Sequence, residues 1–310
     1  MLDKKPLVAL KATTTLDKAL DVLQMYHILS VPIENNAYNG SDSSVDPFIG
    51  VLDITDILVY LAFDNFKDDS SEITSDSLNG SKLAQVSVDQ VFGVANEMAT
   101  FYWHSGLFIA ESDRTIWDTI DLFKGGFQRV LVKTEIAGKP SFKVLSQTDV
   151  VSFLASAANS HASTRDIFGK TLKECDLIQP EQEFNELCRV FADESALSAY
   201  RKMIRHKADA IAVVQRETGE LLTTLSPSDL RYLHQKTGSF ELLLRPVQEF
   251  LENVHHGVLR YPVTVNETNS VGMAMSNCVL WKIHRVWVID SSNRPVASVR
   301  LQDLLARFQS

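Results

Sequence analysis

Trp281-Lys282-Ile283-His284-Arg285-Val286-Trp287-Val288-Ile289-Asp290-Ser291-Ser292-Asn293-Arg294-Pro295-Val296-Ala297-Ser298-Val299-Arg300-Leu301-Gln302-Asp303-Leu304-Leu305-Ala306-Arg307-Phe308-Gln309-Ser310 is the stretch that decides the fold. Arg285–Ile289 reads as an apolar strand, Asp290–Pro295 as a turn and Val296–Val299 as a second short strand. Leu301, Leu304, Leu305 and Phe308 then fall at i, i+3, i+4 and i+7, one face of a helix with Asp303 in its first turn. The same order of elements recurs three more times, each with an Asp at the corresponding place: Asp56, Asp149 and Asp229. The chain is a repeat protein before it is anything else.

Working back from the last unit, repeat four starts with Tyr261–Val265 and a helix carrying Val271, Ala274, Met275 and Cys278. Repeat three has Ala196, Ala199, Tyr200 and Met203 on a helix, strands Ala210–Val214 and Leu221–Leu225, and a helix start at Ser226-Pro227-Ser228-Asp229. Repeat two opens on Leu107–Ala110, followed by a helix with Ile116, Thr119, Ile120 and Phe123 ended by Gly125-Gly126. Its strands Gln128–Val132 and Phe142–Leu145 flank a polar hairpin, Lys133–Ser141. Repeat one runs from Leu7–Leu10 through a helix with Leu16, Ala19, Leu20 and Leu23 to strands Leu29–Ile33 and Phe48–Leu52. A polar insert, Glu34–Pro47, separates those strands, and Ile54, Ile57, Leu58 and Leu61 line the closing helix.

The expected fold class is α+β, with repeats over 1–66, 105–158, 188–236 and 259–310. Between them lie an acidic, Ser-rich loop and connector (67–104), a linker (159–187) and a connector (237–258) with a helix around Val247–Val254. Asp64–Lys82 reads as a mobile loop from its composition.

Composition narrows the function. The 310 residues are 45% apolar and 22% charged, with a formal net charge of −9. A phosphate polymer needs a basic face, so nucleic acid is not expected as a partner, although a small anion could be held by local cations. The three cysteines, Cys175, Cys188 and Cys278, have neither disulfide-framework nor zinc spacing. No signal core precedes the first repeat and the longest apolar run, Ile57–Phe63, is far too short to cross a membrane, so a cytoplasmic or nuclear protein is expected.

The β-α-β-β-α unit resembles the cystathionine-β-synthase (CBS) domain. Ile283–Asp290 carries the resemblance most specifically, and Gln128–Val132 matches it in part, with Gln where the family often has His. Four such units resemble the gamma regulatory subunit of the AMP-activated and sucrose-non-fermenting kinase family and its plant relatives. The resemblance implies two Bateman modules in a disc-like pseudo-symmetric assembly. It also implies no catalysis and no catalytic cofactor, an adenine nucleotide (AMP, ADP or ATP) as regulatory ligand, and kinase alpha- and beta-type subunits as partners.

In such domains the last helix begins Ser/Thr-x-x-Asp, and the Asp accepts hydrogen bonds from both ribose hydroxyls, which suits a group with two acceptor oxygens. Asp56, Asp149, Asp229 and Asp303 take that place, with Ser146 and Ser226 as helix-start residues. Repeats one and four depart from the pattern: Asp53 replaces the hydroxyl in one, and Arg300 in the other, where it could attract phosphate or fill the pocket itself. The same four residues are also what helix capping alone would select. Arg129, His284, Arg285, Arg205, His206 and Arg300 are the phosphate candidates, because a guanidinium can hold a phosphate through two parallel hydrogen bonds. Arg205-His206-Lys207 equally suits a solvated helix end.

Nothing in the sequence marks an enzyme. Gly169-Lys170-Thr171 mimics the end of a phosphate loop, but Thr164 stands where its first Gly belongs. His255-His256 has no partner at metal-ligand spacing and reads as an exposed loop pair. Trp103, Trp117, Trp281 and Trp287 read as core or interface. Two further binding readings stay open: a nucleotide-independent scaffold, and a sensor of another adenosyl ligand such as S-adenosylmethionine.

Overall fold

Four three-stranded sheets, one per repeat, carry the fold in a computed structural model that describes residues 7–38, 45–64, 85–98, 106–158, 162–178, 189–233 and 239–308. Most of the acidic Ser-rich stretch, the middle of the Glu34–Pro47 insert, Trp103 and Cys188 lie outside the described residues.

Repeat one comprises β1 (Leu10–Lys11), α1 (Leu16–Met25), β2 (Ser30–Glu34), β3 (Phe48–Asp53) and α2 (Ile54–Val59), which runs on through a wide turn, Tyr60–Asp64. α3 (Val88–Glu97) follows. Repeat two comprises β4 (Ile109–Glu111), α4 (Ile116–Lys124), β5 (Arg129–Ile136), β6 (Lys139–Ser146) and α5 (Gln147–Ala157). After α6 (Ala162–Gly169), repeat three comprises β7 (Arg189–Phe191), α7 (Ala196–Arg205), β8 (Ile211–Val214), β9 (Leu221–Leu225) and a 3-10 turn, Pro227–Tyr232. A second 3-10 turn, Ser239–Leu244, and α8 (Val247–Val254) lead to β10 (Thr264–Val265), α9 (Val271–Trp281), β11 (Arg285–Ile289), β12 (Pro295–Arg300) and α10 (Leu301–Leu305).

In each sheet the first strand pairs parallel to the second and the second pairs antiparallel to the third. The parallel pair requires a crossover, which the first helix supplies, and the antiparallel pair needs only a turn. All the apolar positions expected on α1 and α9 are buried, as are Leu301, Leu304, Leu305 and Phe308. Each fully buried Leu or Phe contributes on the order of 2 kcal/mol to holding these helices on their sheets.

Several local expectations give way. β5 and β6 run through the stretch expected as a polar hairpin and meet at Ala137 and Gly138, both at positive φ (52° and 74°), the geometry of a tight two-residue hairpin turn. A ladder open to water accepts polar residues, so polarity alone did not end it. The closing helix of repeat three is a 3-10 turn, with Asp229 N–H donating to Ser226 O and Leu233 N–H to Leu230 O. The opening strands are short and shifted towards their C-terminal ends, as at Ile109–Glu111. The connector ahead of repeat two contains α3, whose capping box Ser87-x-x-Gln90 and buried Val88, Val91 and Ala95 make it a regular amphipathic helix.

The cores cross the repeat order. One apolar cluster joins repeat one to repeat three, from Leu16 and Leu58 to Tyr200 and Phe250. A second joins repeat two to repeat four, from Phe123 and Leu154 to Met275 and Leu304. Contacts between sheets link consecutive repeats instead. Phe48 meets Phe142 edge to face at 5.4 Å, and Trp287 packs on Ala212, Val214 and Leu221 while its Nε1–H donates to Thr224 Oγ1 at 2.6 Å. The sheet contacts hold one and two, and three and four, together as modules. The helix contacts join the modules, and the four repeats are left facing one central space.

Candidate functional site: a cationic central cavity

That space is a cavity of about 1220 Å³ lined by all four repeats. Its walls carry six Arg and Lys side chains, Arg129, Arg231, Arg260, Lys282, Arg285 and Arg300, against three acids, Asp53, Asp209 and Asp229. The chain as a whole has a net charge of −9, so the excess of cations here is a local property of the cavity.

One charged or titratable group from each repeat lines it within electrostatic reach of the others. Asp53 supplies the first and Arg129 the second, joined by a 2.8 Å ion pair. Arg231 of repeat three and His284 of repeat four complete the set. His284 is exposed into the cavity and crowded by protein on its other sides. Burial, reinforced by Arg129 and Arg231 and opposed by Asp53, pushes its pKa down to about 4, so the imidazole is neutral at pH 7. Burial also lowers the Arg231 guanidinium from its ordinary value, with Arg260 and Arg129 adding to the effect and Tyr232 and Asp229 opposing it. Its Nε–H donates to Ser228 O at 3.2 Å.

The four first-turn Asp residues share one bond. Each accepts the backbone N–H three residues before it: Asp56 from Asp53, Asp149 from Ser146, Asp229 from Ser226 and Asp303 from Arg300, at 2.7 to 2.9 Å. Capping is therefore realised at every site, and only the surroundings differ. Asp56 is fully buried at its own helix start. Asp303 is gripped by Arg300, whose Nε–H and Nη2–H reach both carboxylate oxygens at 2.9 and 2.8 Å. Asp149 is half-buried and lies behind Ser146, which does line the cavity. Asp229 alone of the four lines the cavity. Its second oxygen faces His255 Nε2 at 3.1 Å, and beneath it the buried Tyr200 hydroxyl donates to Ser226 O.

The structure divides the phosphate candidates as well. Arg129 and His284 converge with Arg231. Arg285 lines the cavity but is buried, pairs with Asp209 and lies 5.6 Å from the centroid of Trp287. Arg300 serves Asp303. Arg205 and His206 are exposed at the end of α7, outside the cavity lining, where cations complement the helix dipole.

Three residues escaped the sequence reading. Arg231 and Arg260 carry no motif. His255, expected in an exposed loop, is buried against Asp229 with Tyr232 edge-on at 5.4 Å. A signal existed, since Val247, Leu251 and Val254 place His255 on the apolar face of α8. Among the tryptophans, Trp287 is core, Trp117 is half-buried and Trp281 is exposed. Among the described residues no group of His, Cys, Asp and Glu is arranged for a metal, and no helix is long and apolar enough to cross a membrane.

No protein-family model matches the chain. Curated relatives include the protein SDS23 of Vanderwaltozyma polyspora, 21% identical over 308 residues that cover 93% of this chain and 54% of that protein. SDS23 of Yarrowia lipolytica is 24% identical over 300 residues, covering 93% of this chain and 56% of that protein. The SNF1-related protein kinase regulatory subunit gamma-1 of Arabidopsis thaliana is 22% identical over 343 residues, covering 97% of this chain and 78% of that subunit. The chain spans about half the length of the SDS23 proteins it matches. Among solved structures, protein MJ1225 of Methanocaldococcus jannaschii, described as a candidate archaeal homologue of γ-AMPK, superposes with a TM-score of 0.68 at 15% identity, covering 98% of this chain and 96% of that one. The chain thus has the fold of a four-repeat CBS-domain protein, its repeats paired into two Bateman modules, and is similar to the gamma regulatory subunits of this kinase family.

Proposed function

We propose that the chain is a non-catalytic regulatory protein that binds an adenine nucleotide in its central cavity and adjusts a kinase complex in response. One observation carries this reading. Arg129, Arg231 and His284, drawn from three repeats, line one large cavity in an otherwise acidic protein, with both guanidiniums acting electrostatically on the imidazole. A phosphate group placed there would gain charge-assisted hydrogen bonds that water and salt screen poorly. Asp229, next to that cluster, keeps one oxygen towards His255 and the cavity, and is the ribose candidate best placed to reach the same ligand. A ligand touching all four repeats favours one arrangement of the two modules over others, and that differential affinity is what a regulator transmits. The similarity to a plant SNF1-related gamma subunit supports kinase alpha- and beta-type subunits as the partners that read it.

Two measurements test this. Protein purified from cells and denatured releases its small molecules for mass analysis, and an adenine nucleotide at close to molar stoichiometry is expected. Capture of alpha- and beta-type kinase subunits by the immobilised chain is expected to change when AMP is replaced by ATP. Release of no nucleotide, together with capture indifferent to both, overturns the proposal.

A second reading has its own observation. Asp53, Asp209 and Asp303 each neutralise a cavity cation from within the chain, through Arg129, Arg285 and Arg300. Such internal pairs suit a scaffold whose cavity needs no ligand. That scaffold would hold its partners equally well after Arg231→Ala and His284→Ala.

A further inference from the structure

α8 lies in the connector between repeats three and four, outside the repeated unit, yet the residue that ends it reaches the cavity wall. The helix is pinned to repeat three. Val247 N–H donates to Glu194 O at 2.8 Å, Gln248 N–H donates to Ala192 O at 3.1 Å, and Phe250 meets Tyr200 edge to face at 5.9 Å. Val247, Phe250, Leu251 and Val254 are buried on its inner face. His255 closes the helix, its N–H donating to Leu251 O at 3.0 Å. The chain then reverses through His256 and Gly257, at φ of 60° and 84°. Helix and reversal together fix the His255 backbone, and the ring takes its place beside Asp229.

His255 Nε2 lies 3.1 Å from Asp229 Oδ1, and the two side chains are 4% and 9% exposed. A carboxylate only accepts, so Nε2 carries the hydrogen. Nδ1 is buried and meets no partner among the described residues, and Tyr232 stands edge-on to the ring at 5.4 Å. The bond to Asp229 is thus the one that orients the imidazole. On the other side of the carboxylate, Oδ2 accepts Ser226 N–H at 2.8 Å and lies 3.3 Å from the Ser226 hydroxyl. A carboxylate offers roughly four acceptor directions. Three are engaged within the chain, and the one that is left belongs to Oδ1. Asp303 shows the opposite limit, because Arg300 engages both of its oxygens.

We propose that His255 is a positioning residue for the ligand: its Nε2–H fixes Asp229 Oδ1 so that the carboxylate offers the cavity a single acceptor direction, and the site reads one sugar hydroxyl where the resemblance implies two. The inference rests on the nucleotide reading above, with Asp229 at the ribose. It adds a residue from outside the repeats, and it changes what the carboxylate can recognise. A buried acceptor held in one orientation discriminates strongly against a ligand that lacks the matching donor, since the acceptor is then left unpaired.

The test is calorimetric titration of the whole chain, stripped of bound ligand, with ATP, 2′-deoxy-ATP and 3′-deoxy-ATP. In the wild type one deoxy analogue should bind about tenfold or more weakly than ATP, the order expected for an unpaired buried acceptor, and the other within about threefold of it. His255→Phe keeps a ring in place and removes the N–H; the gap between the two analogues should shrink below about threefold. His255→Gln, whose amide N–H can replace the donor, should restore the gap, which a merely structural role would not require. Nitrogen NMR of the histidine ring in the ligand-free wild type gives a second readout that needs no variant: the proton should sit on Nε2. Two analogues weakened equally in the wild type, a full gap kept by His255→Phe, or a ring proton on Nδ1 each overturn the inference while leaving nucleotide binding in place. A wild type that binds no ATP overturns the nucleotide reading and this inference with it.

Discussion

Asp53 and Arg129 lie 76 residues apart in sequence, yet the carboxylate and guanidinium meet at 2.8 Å where repeats one and two adjoin. Asp53 also caps α2 by accepting the Thr55 N–H at 2.9 Å. The residue that breaks the Ser/Thr-x-x-Asp pattern in repeat one thus supplies the counter-charge for the cation of repeat two. Removing Arg129 leaves a carboxylate side chain that is only 5% exposed without its partner. Arg129→Ala should cost about 3 kcal/mol, the range for breaking a buried pair by deleting one member. The double substitution Asp53→Asn/Arg129→Met should recover most of that loss. Urea denaturation of the wild type, Arg129→Ala, Asp53→Asn, Arg129→Met and the double variant measures both, and strict additivity of the two single substitutions would remove the coupling.

His284 makes the protein sensitive to acid in a defined window. Its folded pKa of about 4 lies below the ordinary histidine value of 6.5, so between those values the unfolded chain binds the extra proton. The His284 contribution to stability should be constant above about pH 6.5 and fall as the pH drops from about 6.5 towards 4. His284→Gln should flatten that part of the stability–pH curve. An anion beside the imidazole would favour the protonated form, so nucleotide binding near pH 6 should take up protons. Calorimetry in buffers of differing ionisation heat measures the uptake, which should vanish in His284→Gln.

Arg300 and Asp303 form a closed unit, with both carboxylate oxygens engaged by the one guanidinium. Asp303→Ala should therefore leave nucleotide affinity within about twofold of wild type. Asp229→Ala, at the cavity wall, should weaken it by about tenfold or more, the equivalent of 1.4 kcal/mol. Equal losses in the two variants would show that the fourth site is open after all.

Trp287 locks repeat three to repeat four. Its side chain is 1% exposed and its Nε1–H donates to Thr224 Oγ1. Trp287→Phe keeps the packing and loses the bond, for about 1 kcal/mol. Trp287→Ala opens a cavity between the sheets, for about 3 to 5 kcal/mol. Thermal unfolding should rank wild type, Phe and Ala in that order.

The fold was legible because its signals are local and repeated. Leu16, Ala19, Leu20 and Leu23 announce a helix without help from the rest of the chain, and four copies of one element order leave few alternatives. α3 was missed inside a connector read from the polar stretch ahead of it, although Ser87 and Gln90 form a regular capping box. The site was legible only in part. The four Asp positions follow from the repeat, but which of them faces the cavity depends on neighbours from other repeats, such as Arg300 over Asp303 and His255 beside Asp229. Arg231 and Arg260 enter the cavity through the crossed packing of repeat one on three and two on four, a relationship that adjacency in sequence conceals.

Calorimetric titration of ATP and AMP into protein stripped of bound ligand tests the central claim most directly, with Arg231→Ala and His284→Ala run beside the wild type. The account predicts saturable binding to the wild type, weakened at least tenfold in Arg231→Ala, with both variants unfolding at close to the wild-type temperature at pH 7.5. Absence of heat from the wild type at millimolar nucleotide, or binding untouched by either substitution, would contradict it.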